Sequence, residues 1–436
     1  MRPVLIAVAA ALVAGAPISA RPVAAQDLDP TERAMTAYID GQVDGAADFL
    51  ERVVNINSGT MNLEGVRRVG RVFREQFDSL GFATTWVDLP DSMNRAGHLF
   101  AEHSGTRGKR LLLIGHLDTV FEQDSPFQKF VRHDSVAQGP GTEDMKGGDV
   151  VVLYALKALK AAGALADTRI IVAFTGDEED TGDPLAVTRR PLIDAARRSD
   201  AALGFEGGVG GLNTATIARR GFTGWTLETT GVRGHSSLIF NDQFGGGAIF
   251  EAARILDAFR RELAGEANLT FGPGVVLGGT EVDFDAEHSR GTAFGKTNVI
   301  PQRLVAAGDL RTLTRGQLEN TKRRMQEIVE RHLPRTSATI RFRDSYPPMA
   351  PTAGNRALFD ELDRVSRDLG LGPMEIVDPG KRGAADVSFV APYLDGLDGL
   401  GVLGDGGHTT DELVLLNSLP IMIKRAAVLI YRLTRE

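Results

Sequence analysis

The chain has 436 residues, enough for two or three domains, and a net charge of −8 with both signs spread along its length. That balance argues against a nucleic-acid partner, which would want a basic face. There is no cysteine, so disulfides and thiolate chemistry are excluded and any metal must be held by nitrogen and oxygen.

The N-terminus reads as a targeting segment. Arg2 precedes an apolar run over 4–16, and Val23-Ala24-Ala25 fits a cleavage site before Gln26, with a cut after Ala20 as the alternative. A signal peptide over 1–25 is expected, and in a bacterium the product would be periplasmic or secreted. An uncleaved anchor helix is disfavoured because the run is short for a span. The absence of cysteine at the cleavage point argues against lipid attachment, and no later run is long and apolar enough to cross a bilayer. No membrane partner is expected once the signal is cut.

From 31 to about 80 apolar residues recur at helical spacing, as in Ala46, Phe49, Leu50 and Val53, then Val69, Val72, Phe73 and Phe77. Short apolar strands then alternate with helices: strand 111–115, helix 149–162, strand 169–175, strand 201–205. This alternation predicts an α/β sheet buried on both faces, with functional residues at the carboxyl ends of its strands. After Arg219-Arg220-Gly221 the texture changes. An alternating strand over 222–230, helices over 246–263 and 317–332, strand-like runs around Val299 and Val305, and an alternating strand over 338–342 predict a small α+β unit. The α/β texture returns with helices over 358–369 and 386–391, an apolar run over 400–403 and a final helix from Glu412. The predicted layout is a catalytic α/β domain over 26–219 and 336–436, interrupted by an inserted domain over 220–335.

The most telling stretch is His116-Leu117-Asp118, at the end of Leu111-Leu112-Leu113-Ile114. Two residues apart on a strand, the histidine and the carboxylate point to one face, so one can bind a metal while the other holds the ring from behind. Asp144, in the glycine-rich Gly139-Pro140-Gly141-Thr142-Glu143-Asp144-Met145-Lys146-Gly147-Gly148, reads as a bridge to a second metal. Glu179 follows a strand in Gly176-Asp177-Glu178-Glu179, Glu206 ends the strand over 201–205, and His408 sits in Gly404-Asp405-Gly406-Gly407-His408. Each of these alone has an ordinary structural explanation, such as a solvated acidic loop or a helix N-terminus. Together they suit a pair of divalent cations sharing one carboxylate. Zinc favours such donors, and manganese or cobalt could take the same place.

Through His116-Leu117-Asp118-Thr119-Val120, Gly139-Pro140-Gly141, Asp177-Glu178-Glu179 and Phe205-Glu206, the chain resembles the M20 dinuclear zinc metallopeptidases. The likeness is greatest to their exported glutamate-carboxypeptidase branch, and it runs from about Ala46 to the C-terminus. The resemblance implies a phosphorylase/hydrolase-like mixed sheet flanked by helices, with an inserted α+β lid and dimerisation domain. It implies one zinc on His116 and Glu206, another on Glu179 and His408, Asp144 bridging, Asp118 orienting His116 and Glu178 as general base. Gly231-Val232-Arg233-Gly234-His235-Ser236 is similar to the family segment whose histidine stabilises an oxyanion, often from the other subunit of a homodimer. Asn298 and Arg311 would bind the substrate's amide and carboxylate.

Two departures matter. Where glutamate carboxypeptidases place an arginine before a proline, this chain reads Asp344-Ser345-Tyr346-Pro347-Pro348, and bulky cations occupy Gly380-Lys381-Arg382-Gly383. Arg382, beside Gly383, is therefore expected to replace the missing cation in carboxylate recognition. The expected function is an exported carboxypeptidase acting on small peptides or N-acylated amino acids. The alternatives are an N-acyl-amino-acid deacylase with the same metal chemistry and a non-catalytic, metal-dependent binding protein.

Overall fold

A computed structural model of the protein describes residues 28–286 and 288–436, so the expected signal peptide and its cleavage site lie outside the described residues. The larger body is built on a six-stranded sheet, ordered Ala83–Val87, His98–Ser104, Thr168–Thr175, Arg107–His116, Ala201–Gly204, Gly396–Leu397. The first two pairings are antiparallel and the other three parallel, so the sheet is mixed. The unbroken apolar run in Arg107–His116 has a plain cause. Successive strand side chains face opposite ways, and both faces are covered. Leu111 and Leu113 enter one core with residues of helices Val43–Val54, Leu63–Leu80, Lys146–Ala161 and Ser418–Leu433. Leu112 and Ile114 enter the other with Leu192, Ala195, Val387 and Val390. Each such leucine contributes about 1.5–3 kcal/mol by leaving water.

The second sheet is wholly antiparallel, ordered Thr270–Gly279, Arg303–Thr312, Gly221–Gly231, Thr336–Asp344. Gly221–Gly231 buries alternate residues, and helices Gly247–Leu263 and Arg315–Val329 close that face over Trp225, Leu227, Phe259, Leu304 and Met325. The α+β texture expected for this region is thus present, but its far boundary is not at 335. Thr336–Asp344 pairs with Gly221–Gly231 from Thr336 opposite Gly231 to Asp344 opposite Thr223. Its alternating apolar face, Ala338, Ile340 and Phe342, packs on the core under the two helices, so the strand belongs with the inserted unit.

Three further expectations change. Around Val299 there is no strand, only an isolated bridge to His235. Thr270–Gly279 is a strand hidden in the sequence by its glycines and proline. The final helix spans Ser418–Leu433 rather than starting at Glu412, because Leu413–Leu415 is drawn into antiparallel pairing with Val136–Gln138. No helix among the described residues is long and apolar enough to cross a membrane.

Candidate metal centre

Three neighbouring parallel strands deliver most of the site from their carboxyl ends. His116 closes Arg107–His116, Glu178 and Glu179 follow Thr168–Thr175, and Glu206 follows Ala201–Gly204. Loops leaving parallel strands on the same side converge. Asp144 enters from the turn before helix Lys146–Ala161, which approaches closely because of its glycines. A Cβ on Gly148 would lie 1.9 Å from the Phe205 carbonyl oxygen, so any side chain there would push Asp144 away from Glu206. His408 arrives from the turn after Gly404–Asp405.

Asp144 is the hub of the cluster. Its Oδ1 lies 3.2 Å from His116 Nε2 and its Oδ2 lies 3.0 Å from His408 Nε2. Glu206 Oε1 stands 3.7 Å from the first histidine nitrogen, and Glu179 Oε2 stands 3.1 Å from the second. One carboxylate is therefore shared between two histidine–carboxylate pairs. One ligand atom each from His116, Asp144 and Glu179 lies within 4.8 Å of the others.

Asp118 stands behind His116: its backbone carbonyl accepts from Nδ1 at 3.1 Å, and its carboxylate Oδ1 lies 3.5 Å from the same nitrogen. It also accepts hydrogen bonds from the Thr60 hydroxyl at 2.7 Å and from the Glu178 and Glu179 backbone N–H groups at 3.0 Å each. Burial pushes its carboxyl up, yet His116, Thr60 and the Glu179 N–H outweigh that and hold it below the usual carboxylate range. The loop bearing Asp144 is pinned by the Glu412 carboxylate, which accepts from the N–H groups of Gly141 (3.0 Å), Glu143 (2.8 Å) and Asp144 (3.1 Å).

The electrostatics test whether cations fit. Burial, then the nearby Asp144, pushes Glu179 and Glu206 up to about 7, and burial pushes Glu178 well above its usual range. The carboxylates of Asp144 and Glu179 push His408 up to about 11. Left to themselves, these groups hold protons where their charges converge. Divalent cations offset that repulsion without protons, and the all-nitrogen-and-oxygen donor set suits zinc. The residues fit a pair of such ions.

The other residues singled out in the sequence lie around this cluster or in the inserted unit. Arg382 is buried, its Nε has no hydrogen-bond partner, and no ion pair holds its guanidinium among the described residues. Gly383 is beside it, its carbonyl accepting from Arg219 Nη1 at 3.0 Å, and a Cβ at Gly383 would lie 4.0 Å from Arg311 Nη1. Arg311 itself is engaged, paired with Asp309 at 2.9 Å and set over the Phe222 ring at 5.3 Å. His235 and Asn298 are exposed neighbours in the inserted unit: the Ser236 N–H donates to the Asn298 carbonyl at 2.9 Å, and His235 bonds Ser237. Neither makes a hydrogen bond or ion pair with the cluster among the described residues. Thr60 and Glu412 carry no local signal in the sequence, because each acts on a loop far away along the chain.

The sequence model of Peptidase family M20/M25/M40 matches residues 112–432. The chain belongs to this family. Among its M20 relatives, carboxypeptidase G2 of Pseudomonas sp. (strain RS-16) is 26% identical over 398 residues, 87% of each chain. A succinyl-diaminopimelate desuccinylase of Xanthomonas campestris is 26% identical over 373 residues, 82% of this chain and 92% of that one. Solved structures share the fold. Aminopeptidase PepT of Bacillus cereus superposes with a TM-score of 0.70 at 16% identity, covering 90% of this chain and 98% of that one. The Bacillus subtilis YXEP protein, described as a dinuclear metal-binding M20 peptidase, gives 0.62 at 14% identity, covering 91% and 99%. Metallopeptidase chemistry at a metal-dependent site is thus the family's, and the cluster around Asp144 is where this chain could support it.

Proposed function

We propose that the protein is an exported metal-dependent amide hydrolase, a carboxypeptidase that releases a C-terminal amino acid from small peptides or N-acylated amino acids. The observation that carries the reading is the division of the Asp144 oxygens between His116 and His408. His116 and Glu206 would hold one zinc, Glu179 and His408 the other, with Asp144 bridging; manganese or cobalt would accept the same donors. When bound, the cations polarise the amide carbonyl and acidify a water.

Glu178 forms no ion pair among the described residues, so its carboxylate is free to take the water's proton and return it to the leaving amine. Asp118 holds the His116 ring through its backbone carbonyl with its carboxylate close behind, and that carboxylate holds the loop that carries Glu178 through two backbone N–H groups. Arg382 is the cation available for a substrate carboxylate, since Arg311 is already paired with Asp309. Asn298 would bind the amide and His235 the developing oxyanion, the latter from the neighbouring subunit of a homodimer. Exposed Leu238, Phe240, Ile249, Phe250, Val276 and Phe294, all in the inserted unit, support pairing through that unit. Export rests on the N-terminal segment.

The desuccinylase relative favours a second reading, N-acyl-amino-acid deacylation by the same residues. Both are tested by hydrolysis of dipeptides and N-acetyl amino acids by the mature, zinc-loaded protein beside Glu178→Ala. Metal-dependent turnover that the variant loses is the expected result, and the preferred substrates separate peptidase from deacylase. Two bound metals with no turnover across the panel would defeat the hydrolase reading and leave a binding protein.

A further inference from the structure

Two short segments join the inserted unit to the larger body, 219–221 on entry and 345–349 on return. They are zipped to each other. The Phe222 N–H donates to the Tyr346 carbonyl at 2.8 Å and the Ser345 N–H to the Phe222 carbonyl at 3.2 Å, while Arg219 and Met349 exchange bonds of 2.9 and 3.0 Å. Gly221 is required at this contact, because a Cβ there would lie 2.6 Å from Pro348 N and 2.8 Å from the Tyr346 carbonyl oxygen. Joined in this way, the two segments form a single hinge region between the inserted unit and the larger body.

Tyr346 belongs to the hinge, but its side chain reaches the proposed active site. Its hydroxyl donates to the Glu178 carbonyl at 2.7 Å, lies 2.8 Å from Thr181 Oγ1, and receives Arg189 Nη2 at 3.3 Å. Its ring packs on Phe389 with centroids 4.8 Å apart. Arg189 is buried between Asp177 and Asp386 and donates to the Asp177 carbonyl at 3.0 Å. The Glu178 residue is therefore gripped at both ends. Its N–H is held by Asp118 at the end of the sheet, and its carbonyl by a hydroxyl from the hinge.

We infer that Tyr346 is a positioning residue that ties the loop bearing Glu178 to the hinge, so that movement of the inserted unit and alignment of Glu178 occur together. The inference rests on the proposed hydrolytic role of Glu178. It also gives a use to the residue standing before Pro347, where the family resemblance leads one to expect an arginine. Here the side chain is spent on the loop, which leaves substrate carboxylate to Arg382. A pivot of this kind matters because displacing a catalytic group by about 1 Å costs roughly 100-fold in rate.

The test is Tyr346→Phe in the zinc-loaded full chain, which keeps the ring and removes only the hydroxyl. On the best substrate of the dipeptide and N-acetyl amino acid panel, kcat should fall about 10- to 100-fold with KM and bound metal unchanged. The solvent deuterium isotope effect should rise as proton transfer becomes limiting. In the same variant, amide hydrogen exchange should quicken over 176–182 and stay unchanged in Arg107–His116. Wild-type kcat, or a loss of kcat that follows metal content or KM, overturns the inference. If the wild-type protein hydrolyses nothing, the hydrolase reading fails, and unchanged exchange over 176–182 would by itself overturn the coupling.

Discussion

Asp118 accepts the backbone N–H of Glu178 at 3.0 Å, so the carboxylate behind His116 is also the anchor of the loop that carries the proposed base. The proposed metal ligand and the proposed base are therefore both positioned by one buried residue. Asp118→Ala would leave Thr60 and two N–H groups without their acceptor. Removing such an orienting partner should weaken zinc binding about 10- to 100-fold. Each stranded donor should add about 1–3 kcal/mol of destabilisation. Zinc competition titration and thermal melts check both, and a variant with wild-type zinc affinity would contradict the role.

Removing metal should lower the melting temperature, because an ion bound only by the folded state adds its binding free energy to stability. Ligand at 1,000 times its Kd stabilises by about 4 kcal/mol, so a chelator should cause a clear downward shift that added zinc reverses. Binding must also displace protons, since His408 titrates at about 11 and Glu179 and Glu206 at about 7 in the metal-free site. Apparent affinity should rise with pH through neutrality. Calorimetry in two buffers of different ionisation heat reads the proton release directly, and its absence would count against the cluster as the metal site. Asp144→Ala should reduce bound metal from two ions per chain to one or none.

Arg382→Ala should raise KM for substrates with a free carboxylate and leave amidated analogues unaffected. A charge-assisted hydrogen bond contributes about 1.5–3 kcal/mol, which corresponds to roughly a 10- to 150-fold change in KM. Steady-state kinetics on the acid and amide forms of one substrate decide it. Equal KM values for the acid in both proteins would remove Arg382 from recognition.

Glu251 gives the inserted unit a pH dependence of its own. It is buried on helix Gly247–Leu263, pairs with Arg254 at 2.6 Å, and accepts from the Leu333 N–H at 2.9 Å and the Thr336 hydroxyl at 3.0 Å. Burial pushes its carboxyl up, but Arg254, Leu333 and Thr336 prevail and hold it below its ordinary value of 4.5. A depressed folded-state pKa means the stabilisation is complete above about 4.5 and is lost as pH falls through the lower folded value. Glu251→Gln should cost about 1–3 kcal/mol at neutral pH. Melts of both proteins across pH should converge below 4.5, and a constant gap would refute the account.

Local pattern determined a good deal. The apolar run 111–114 and the helical periodicity of 246–263 each depend on residues a few places apart, and each is found where the pattern puts it, whereas the strand ends at His116 and Asp118 reaches that ring from the loop beyond. The convergence of His116, Asp144, Glu179, Glu206 and His408 was legible as a set because all follow strands or precede helices. Their pairing was not. That Asp144 turns one oxygen to each histidine, that Glu412 caps a loop 268 to 271 residues away, and that Tyr346 grips the Glu178 carbonyl were decided only by the tertiary structure. The same holds for Thr336–Asp344, whose alternation marks a strand but whose sheet is chosen by the open edge and the two helices waiting to cover it. Periodicity states which side of an element is apolar, whereas the partner of that side depends on how whole layers pack, and no short stretch of sequence contains that information.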